Sequence, residues 1–260
     1  MSKVKSFIYR KIKKAGLTTS YLKLNFLVKG WLGVKSKDFH RLKPFYNQFI
    51  KPGSLVFDVG ANVGIRSEVF LGLGARTISI EPNKKLFEVL KFKFSANKDS
   101  VVLNVACGGK IETKEFKIAT NHRVSTFSGK FMEHKKKIGH NTEWTRTEMV
   151  EITTLDHLVS RHGKADFCKI DVEGYEREVL QGLNSKIGVI SFEFTSPTFN
   201  DDSIWCIQKL GSLGYTHFNI SFKESLQFID QKWMSADDLI HFISTREEMK
   251  RSSYGDIYAK

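Results

Sequence analysis

The stretch VFDVGANVG places an acid at the end of an apolar run and a glycine-containing turn directly after it. The acid is Asp58, and the turn runs from Gly60 through Ala61 and Asn62 to Gly64. This spacing differs from the G-x-G-x-x-G fingerprint of dinucleotide-binding proteins, whose glycines make room for a pyrophosphate. An acid at the strand end would also repel a phosphate. The pattern therefore favours a ligand that carries a cationic group.

Glu81 ends the next apolar run, 17 residues after Gly64. An acid at this place in an α/β sheet can accept both hydrogen bonds of a ribose diol. S-adenosylmethionine combines a ribose with an ammonium and a sulfonium, so it suits Asp58 and Glu81 together. We therefore expect an adenosyl cofactor whose methionine end is positively charged.

A second acidic cluster lies in KIDVEGYE, where Lys169, Asp171 and Glu173 alternate along the chain. Side chains that alternate in a strand share one face, so we expect these three at one strand end. We predict that Glu173 is a general base, that Asp171 orients the acceptor or cofactor, and that Lys169 tunes their pKa values. A solvated helix N-terminus is the alternative role for Glu173, because an acid there favours the helix dipole.

Three acids, Asp171, Glu173 and Glu193, are also an alternative set of ligands for a divalent cation, which prefers oxygen ligands. The three are scattered along the chain, and scattered acids are a weak metal pattern. We therefore predict no metal.

The elements that must position these residues follow from the alternation of apolar and amphipathic runs after residue 54. Nearly continuous apolar strands separated by helices indicate a parallel sheet that is covered on both faces. Ligands of such sheets bind beyond the carboxyl ends of the strands. We expect strands within 54–60, 76–82, 100–108, 166–174 and 186–194, an extra strand at 113–120, and a closing pair at 216–222 and 255–260.

Residues 120–147 interrupt this rhythm, because they are polar, basic and rich in histidine, with no clean period. A long irregular insertion in a compact domain is usually functional or mobile, so we expect a substrate loop here. Candidate acceptor-binding residues are His122, His140 and Trp144, together with Glu193. Exposure in the loop is the alternative for the histidines, and core packing is the alternative for Trp144.

The positive charge of the chain is concentrated near its N-terminus. Residues 1–51 contain 13 Lys and Arg and one acid, whereas the remaining residues contain 28 Lys and Arg and 27 acids. We predict a basic helical extension at 1–50, with an amphipathic helix at 4–15, and a catalytic domain at 51–260. Such an extension lies on the fold, contacts an anionic membrane or glycolipid, or binds nucleic acid.

The cysteines and the hydropathy pattern bear on the compartment. Cys107, Cys168 and Cys206 are far apart and form no CxxC pair, which favours a reducing environment. The longest apolar stretch is short and contains Lys29, so no membrane-spanning helix is expected. The basic start leads into no signal-peptide core. We expect a cytoplasmic protein. Peripheral contact of this protein with the inner face of the membrane is a further option.

Several motifs occur in the order found in one family. VFDVGANVG, ISIEPN, NVACGG, TTLDHLV, KIDVEGYEREVLQGL and ISFEF, within about residues 45–220, resemble the FkbM-type family of S-adenosylmethionine-dependent methyltransferases. The resemblance implies a Rossmann-like class I methyltransferase fold: a seven-stranded, mostly parallel sheet with an antiparallel last strand. It also implies methyl transfer to a hydroxyl oxygen of a sugar, a glycan or glycolipid, or a glycosylated small molecule.

The resemblance also implies roles for individual residues. It assigns the methionine part of the cofactor to the first turn and the ribose to Glu81. The adenine would border the end of the third strand, and Asp171 and Glu173 would face the methyl group. In full, the implied cofactor residues are Asp58, Gly60, Ala61, Asn62, Gly64, Glu81, Asn104, Ala106 and Cys107.

Two features depart from the family pattern, namely the pair Ile65–Arg66 after the turn and the long insertion at 120–147. Both departures bear on the identity of the methyl acceptor more than on the identity of the cofactor. A nucleic-acid methyltransferase is one alternative, although the sequence has no N-P-P-Y motif and no recognisable RNA-binding module. A non-catalytic module that binds the cofactor at a membrane surface is the other alternative.

Overall fold

The computed structural model describes residues 37–251 and 253–260, together with Ser20. The basic helix predicted at residues 4–15 lies outside the described residues. Within the part of the chain that is described, no helix combines the length and the apolar character needed to span a bilayer.

A seven-stranded sheet forms the centre of the domain, in the order β3-β2-β1-β7-β8-β10-β9. Strand β10 pairs antiparallel with both β8 and β9, and the pairs among the other five strands are parallel. The expected sheet, with its antiparallel last strand, is confirmed. The strands are β1 (Leu55–Val59), β2 (Arg76–Ile80), β3 (Ser100–Leu103), β7 (Phe167–Ile170), β8 (Val189–Ser196), β9 (Phe218–Phe222) and β10 (Ser253–Ala259).

Helices cover both faces of this sheet, as the apolar strands predicted. Adjacent residues of β1 show the two faces: Phe57 packs into one hydrophobic cluster and Val56 into another. Side chains that alternate along a strand point to opposite faces, so the core has two layers. The helices are α1 (Lys37–Tyr46), α2 (Ile65–Gly72), α3 (Lys84–Lys93), α4 (Gly129–Lys137), α5 (Leu155–His162), α6 (Glu176–Gln181), α7 (Asn200–Ser212), α8 (Ala236–Thr245) and α9 (Glu247–Lys250).

Helix α1, which precedes the sheet, packs against α2. Phe39 lies beside Gly72, where an added Cβ would come within 2.4 Å of its ring. Tyr46 packs edge-on against Phe70, with ring centroids 5.0 Å apart. The described residues of the predicted extension thus share a hydrophobic cluster with the sheet. The boundary at residue 50 remains a prediction.

A second, three-stranded sheet in the order β4-β6-β5 stands beside the first. It consists of β4 (Ala106–Cys107), β5 (Glu112–Ala119) and β6 (Trp144–Thr153). The prediction of one strand over 100–108 is therefore wrong, because the chain leaves the central sheet at Asn104. The Asn104 side chain donates to the carbonyl oxygens of Glu81 and Pro82, and these bonds fix the change of direction.

The insertion at 120–147 is more regular than the sequence suggested. It contains a 3₁₀ turn at His122–Val124, helix α4, and the start of β6. Ser128 caps α4 by accepting a hydrogen bond from the Phe131 backbone N–H, and Phe131 is buried against Phe199. The expectation of an irregular loop was wrong because a few buried aromatic residues order a segment that is otherwise polar.

Candidate functional site

A cleft of about 410 Å³ opens beyond the carboxyl ends of the central strands. Its volume lies in the usual range for small-molecule sites, and its position is the one expected for an α/β sheet. It brings together both acidic clusters predicted from the sequence. Its lining includes Asp58, Gly60, Ala61, Asn62, Glu81, Ala106, Cys107, His122, Asp171, Glu173 and Glu193.

The turn between β1 and α2 has a left-handed backbone at Gly60 (φ 84°), Asn62 (φ 53°) and Gly64 (φ 71°). A Cβ at Gly60 would lie 1.9 Å from the carbonyl oxygen of Asp171. A Cβ at Gly64 would lie 2.6 Å from the Leu90 side chain. The turn therefore needs glycine for its conformation and because protein atoms fill the adjacent space. Close approach of a ligand to these two glycines stays a prediction.

Glu81 is buried at the end of β2 and braces this turn. Its Oε2 accepts a hydrogen bond from the Asn62 backbone N–H, and its Oε1 accepts one from the Asn83 backbone N–H, each at 2.8 Å. Burial raises the pKa of Glu81 to about 7, although the two N–H groups oppose that shift. Each carboxylate oxygen has a second lone pair, so both can also accept from a diol.

Asp58 is buried at the end of β1 and accepts a hydrogen bond from the Ser67 hydroxyl. The Ser67 oxygen lies 2.8 Å from the Ser79 hydroxyl, which extends the network into β2. Burial raises the pKa of Asp58, and the Ser67 hydrogen bond opposes this effect. A cationic ligand group in the cleft would compensate this buried carboxylate, as the sequence suggested.

The predicted adenine border divides into two parts. Ala106 and Cys107 are buried and line the cleft. Burial raises the pKa of Cys107 to about 12, so its thiol is neutral and acts as an apolar wall. Asn104 is not among the cleft-lining residues, because its amide is bonded to the backbone of Glu81 and Pro82. It supports the Glu81 segment from behind.

The donors and acceptors in the cleft fit S-adenosylmethionine. Glu81 offers two oxygens that can accept from a ribose diol, and Asp58 offers a carboxylate that can pair with a cationic methionine part. Phe116, Phe127 and Tyr175 add an aromatic wall, in which the Phe127 ring lies 4.6 Å from Phe116 and 5.2 Å from Tyr175.

Asp171, Glu173 and Glu193 come together at the other side of the cleft. One carboxylate oxygen from each lies within 4.8 Å of the others. The reason is not the strand alternation expected from the sequence, because β7 ends at Ile170 and Glu173 has a left-handed backbone (φ 58°). Non-glycine residues in this conformation cost about 1–3 kcal/mol and cluster at functional sites.

Asp171 is held ionised by two cations. Burial alone would raise its pKa, but Lys169 and Arg66 bring it below its ordinary value. Arg66 Nη1 lies 3.0 Å and Lys169 Nζ lies 3.8 Å from Asp171 Oδ2. Lys169 is fully buried and donates to Asp256 at 2.8 Å. Lys169 is therefore placed to tune Asp171, and it is not among the cleft-lining residues.

The two glutamates of the cluster behave in the opposite way. Burial and the nearby charge of Asp171 raise the pKa of Glu173 well above its ordinary value. The same causes raise the pKa of Glu193, and Glu173 adds to them. The cluster therefore combines one fixed anion, Asp171, with two carboxyl groups that readily hold a proton.

Glu176 is a member of this site that sequence reasoning missed. Its Oε1 accepts from the backbone N–H of Val172 at 3.0 Å and of Gly174 at 3.4 Å. Thr126 donates to the Glu173 carbonyl oxygen at 2.8 Å, which fixes the turn from the other side. The signal available in the sequence was the position of Glu176 in KIDVEGYE, three residues after Glu173.

The candidate acceptor residues are placed differently from one another. His122 and Glu193 line the cleft. His140 is exposed, with Nδ1 2.6 Å from the Thr142 hydroxyl, and it does not line the cleft. Trp144 packs into the cluster around Phe131 and donates to the Val124 carbonyl oxygen at 3.0 Å. Of the four candidates, His122 and Glu193 are at the site.

Charged residues at the mouth of the cleft were also missed. Arg66 contacts Asp171, and Arg41 and Glu224 join it from α1 and from the segment after β9. The sequence singled out Arg66 only as a departure from a family pattern. Arg41 and Glu224 are 183 residues apart, so their contact left no local signal.

Comparison with known proteins gives one family match. Residues 58–248 match the family model described as the methyltransferase FkbM domain. No curated protein sequence matches the chain.

The solved structures that match the chain share little sequence with it. Precorrin-6y C5,15-methyltransferase from Geobacter metallireducens is 11% identical, with 85% of this chain and 86% of that chain covered and a TM-score of 0.44. A TehB-like SAM-dependent methyltransferase from Corynebacterium glutamicum is 10% identical, with 93% and 97% covered and a TM-score of 0.43. Fibrillarin from Aeropyrum pernix, bound to S-adenosylmethionine, is 9% identical, with 82% and 68% covered and a TM-score of 0.43.

Proposed function

Since the chain belongs to the FkbM family of S-adenosylmethionine-dependent methyltransferases, we propose that it methylates a hydroxyl oxygen of a sugar, a glycan or glycolipid, or a glycosylated small molecule. One observation carries the proposal. One carboxylate oxygen from each of Asp171, Glu173 and Glu193 lies within 4.8 Å of the others, in the same cleft as Glu81. A proton-accepting cluster thus shares a cleft with the residues that suit the cofactor.

When bound, S-adenosylmethionine supplies an electrophilic methyl group. A sugar hydroxyl is a weak nucleophile, so a positioned base accelerates its attack by about 10²–10⁴-fold. In this proposal the ionised form of Glu173 accepts the hydroxyl proton, because it lines the cleft beside Asp171 and its raised pKa makes its carboxylate a stronger base than that of Asp171. Asp171, which Arg66 and Lys169 keep ionised, orients the acceptor or the cofactor's sulfonium end. The remaining acceleration comes from alignment in the cleft.

The charges that line the cleft favour a sugar over a nucleic acid as the methyl acceptor. The depth of the cleft contains Asp58, Glu81, Asp171, Glu173 and Glu193, with Lys169 buried behind them. Nucleic-acid binding relies on cations that follow the phosphate backbone. The cleft-lining arginines are Arg41, Arg66 and Arg123, and the first two are already paired with Glu224 and Asp171, so the lining holds no continuous track of cations for a phosphate backbone. A sugar ring, by contrast, presents hydroxyl donors to the carboxylates.

Cofactor binding and acceptor choice can be tested separately. Calorimetric titration with S-adenosylmethionine, S-adenosylhomocysteine and NAD should show binding of the first two and none of NAD. A labelled-methyl transfer screen over free sugars, glycans, glycolipids, glycosides and RNA then tests the acceptor. Methyl transfer to RNA with no transfer to any glycosidic acceptor would refute the sugar assignment.

For the basic N-terminal segment, we propose peripheral contact with an anionic membrane or glycolipid at the cytoplasmic face. The 13 Lys and Arg of residues 1–51 support this, because basic amphipathic segments bind anionic lipid surfaces. Flotation with phosphatidylglycerol liposomes should retain the full chain and lose a variant that lacks residues 1–20. Equal flotation of both proteins would assign the contact to another part of the chain.

A further inference from the structure

Two arginines converge on one carboxylate of the chain itself at the mouth of the cleft. Arg41 Nη2 donates to Glu224 Oε2 at 2.8 Å, and Arg41 Nη1 donates to the Glu224 carbonyl oxygen at 2.8 Å. Arg66 Nη2 lies 3.8 Å from Glu224 Oε1. All three residues line the cleft. The carboxylate of Glu224 therefore occupies a binding position for an oxyanion between two guanidinium groups.

This internal carboxylate is weakly held. The Glu224 side chain is 54% exposed and that of Arg41 is 42% exposed, and ion pairs at such exposed positions are easily exchanged. Burial opposes ionisation of Glu224, but Arg41 and Arg66 bring its pKa below the ordinary value. The group between the arginines is thus an anion, and a ligand anion of the same kind can take its place.

The position adjoins the proposed transfer site. Arg66 contacts Asp171 at 3.0 Å through Nη1 while Nη2 faces Glu224. Asp171 belongs to the cluster with Glu173 and Glu193. A single sugar residue can therefore place a hydroxyl at Glu173 and an acidic substituent near the two arginines. Asp38 lies 3.4 Å from Arg41 and lines the same mouth, and the charge of Asp256 acts on Arg66, so the anion site has acidic neighbours besides Asp171.

We propose that Arg41 and Arg66 recognise an oxyanion on the methyl acceptor, such as the carboxylate of a uronic acid, and that this group displaces the Glu224 carboxylate. Planar guanidinium groups suit this role because they bind carboxylates through paired hydrogen bonds. The inference rests on the proposed function, since it narrows the acceptor of the same cleft from sugars in general to acidic sugars.

Binding of simple glycosides tests this inference without any methyl transfer. The probes are methyl glucuronide, methyl glucoside and glucose 6-phosphate, titrated by saturation-transfer NMR into the protein with and without S-adenosylhomocysteine. We expect the glucuronide to bind more tightly than the glucoside. Glu224→Gln, which removes the internal anion, should lower the dissociation constant of the glucuronide about two- to fivefold and leave that of the glucoside unchanged. Arg41→Gln should weaken the glucuronide about tenfold.

Glu247→Gln is the matched control, because Glu247 is an exposed acid paired with Lys250 and does not line the cleft. It removes the same charge and should change none of the three affinities. If Glu224→Gln binds both glucose 6-phosphate and the glucuronide more tightly than the wild type does, the site also accepts phosphates. If only the glucuronide binds more tightly, the site is restricted to carboxylates.

Two results would overturn the inference: equal binding of glucuronide and glucoside by the wild type and Glu224→Gln, or an unchanged glucuronide affinity in Arg41→Gln. Failure of the proposed function is a separate result, since the labelled-methyl screen would then show no transfer to any glycosidic acceptor, while the preference between glucuronide and glucoside could still be measured by NMR.

Discussion

Arg66 lies 3.0 Å from Asp171 and joins the first turn of α2 to the residue that follows β7. The same guanidinium contacts the Tyr46 hydroxyl at 3.3 Å, so α1 takes part in the arrangement. Because Arg66 and Lys169 together keep Asp171 ionised, the charge of the acidic cluster depends on a residue that is distant from it in the chain.

Replacement of Arg66 tests this relationship. Arg66→Met should lower the free energy of unfolding by about 1–3 kcal/mol, because Asp171 loses its nearest cation, and Arg66→Lys should recover part of the loss. The pKa of Asp171 is lowered in the folded state, so its stabilising contribution is present at neutral pH and is lost as the pH falls. Urea denaturation at several pH values should therefore show the largest difference from the wild type near neutral pH.

Arg146→Met is the control for this measurement. Arg146 pairs with Glu148 on the second sheet, where both side chains are partly exposed. We expect Arg146→Met to change the free energy of unfolding by no more than about 0.5 kcal/mol. An equal loss in both variants would mean that Arg66 acts as an ordinary surface cation.

Glu81 should be necessary for cofactor binding. In Glu81→Gln, one oxygen becomes an NH₂ group that faces the backbone N–H of Asn62 or Asn83, so the turn or the diol loses an acceptor. The dissociation constant of S-adenosylhomocysteine should rise at least about tenfold in calorimetric titration. Glu115→Gln, at an exposed position on β5, should bind like the wild type. Unchanged binding by Glu81→Gln would place the ribose elsewhere.

Glu173 should be necessary for turnover and dispensable for cofactor binding. Glu173→Gln removes the proposed base, so the rate constant for methyl transfer should fall about 10²–10⁴-fold while the dissociation constant of S-adenosylhomocysteine stays within about twofold. Glu193→Gln should reduce the rate less, since Glu193 is a candidate acceptor-binding residue and not the proposed base. If the rate constant falls more in Glu193→Gln than in Glu173→Gln, Glu193 is the base. A normal rate constant in Glu173→Gln refutes the assignment of Glu173 as the base.

Glu176 should make the protein less stable as the pH rises. Burial raises its pKa to about 7 from an ordinary value of 4.5, so the folded state holds a proton that the unfolded state has released between those values. The free energy of unfolding therefore falls from about pH 4.5 to pH 7 through this group. Glu176→Gln keeps an oxygen for the N–H groups of Val172 and Gly174 but cannot titrate.

The measurement is a series of urea denaturation curves between pH 5 and pH 8. Relative to the wild type, Glu176→Gln should lose less stability across this range, and Glu115→Gln should follow the wild type. Parallel pH profiles for wild type and Glu176→Gln would show that Glu176 is ionised in the folded protein throughout the range.

The central sheet and the positions of Asp58 and Glu81 in the cleft could be predicted because their signals are local. Asp58 and Glu81 each end an apolar run, and position beyond a strand end follows directly from the chain order in a parallel sheet. The same reasoning placed Asp171 correctly. It failed for the geometry of Glu173, because strand alternation stops at Ile170 and a left-handed residue redirects the side chain.

The cluster of Arg41, Arg66 and Glu224 at the mouth of the cleft could not be predicted, since long-range contacts build it. Arg41, Arg66 and Glu224 come from three separate segments, and nothing in the local sequence of any one points to the others. The order within 120–147 was missed for a related reason. Burial of Phe131 and Trp144 against the rest of the fold organises that segment, and this tertiary effect overrides its weak periodicity.

Gly60 should tolerate no side chain, and Gly53 provides a matched comparison. Both have a left-handed backbone, with φ 84° at Gly60 and φ 85° at Gly53. A Cβ at Gly60 would lie 1.9 Å from the Asp171 carbonyl oxygen, whereas a Cβ at Gly53 would have nothing within 4 Å. Gly53→Ala therefore isolates the conformational cost, of about 1 kcal/mol, and Gly60→Ala adds a clash with backbone.

Urea denaturation should show a loss for Gly60→Ala that exceeds the loss for Gly53→Ala by at least about 2 kcal/mol, since most of the clash can be relieved only by moving the turn away from β7. That movement would also separate Glu81 from the Asn62 N–H, so S-adenosylhomocysteine should bind more weakly to Gly60→Ala and normally to Gly53→Ala. Equal losses in the two variants would mean that the Asp171 segment yields to the added methyl group, and that the cofactor turn and the acidic cluster are not rigidly coupled through Gly60.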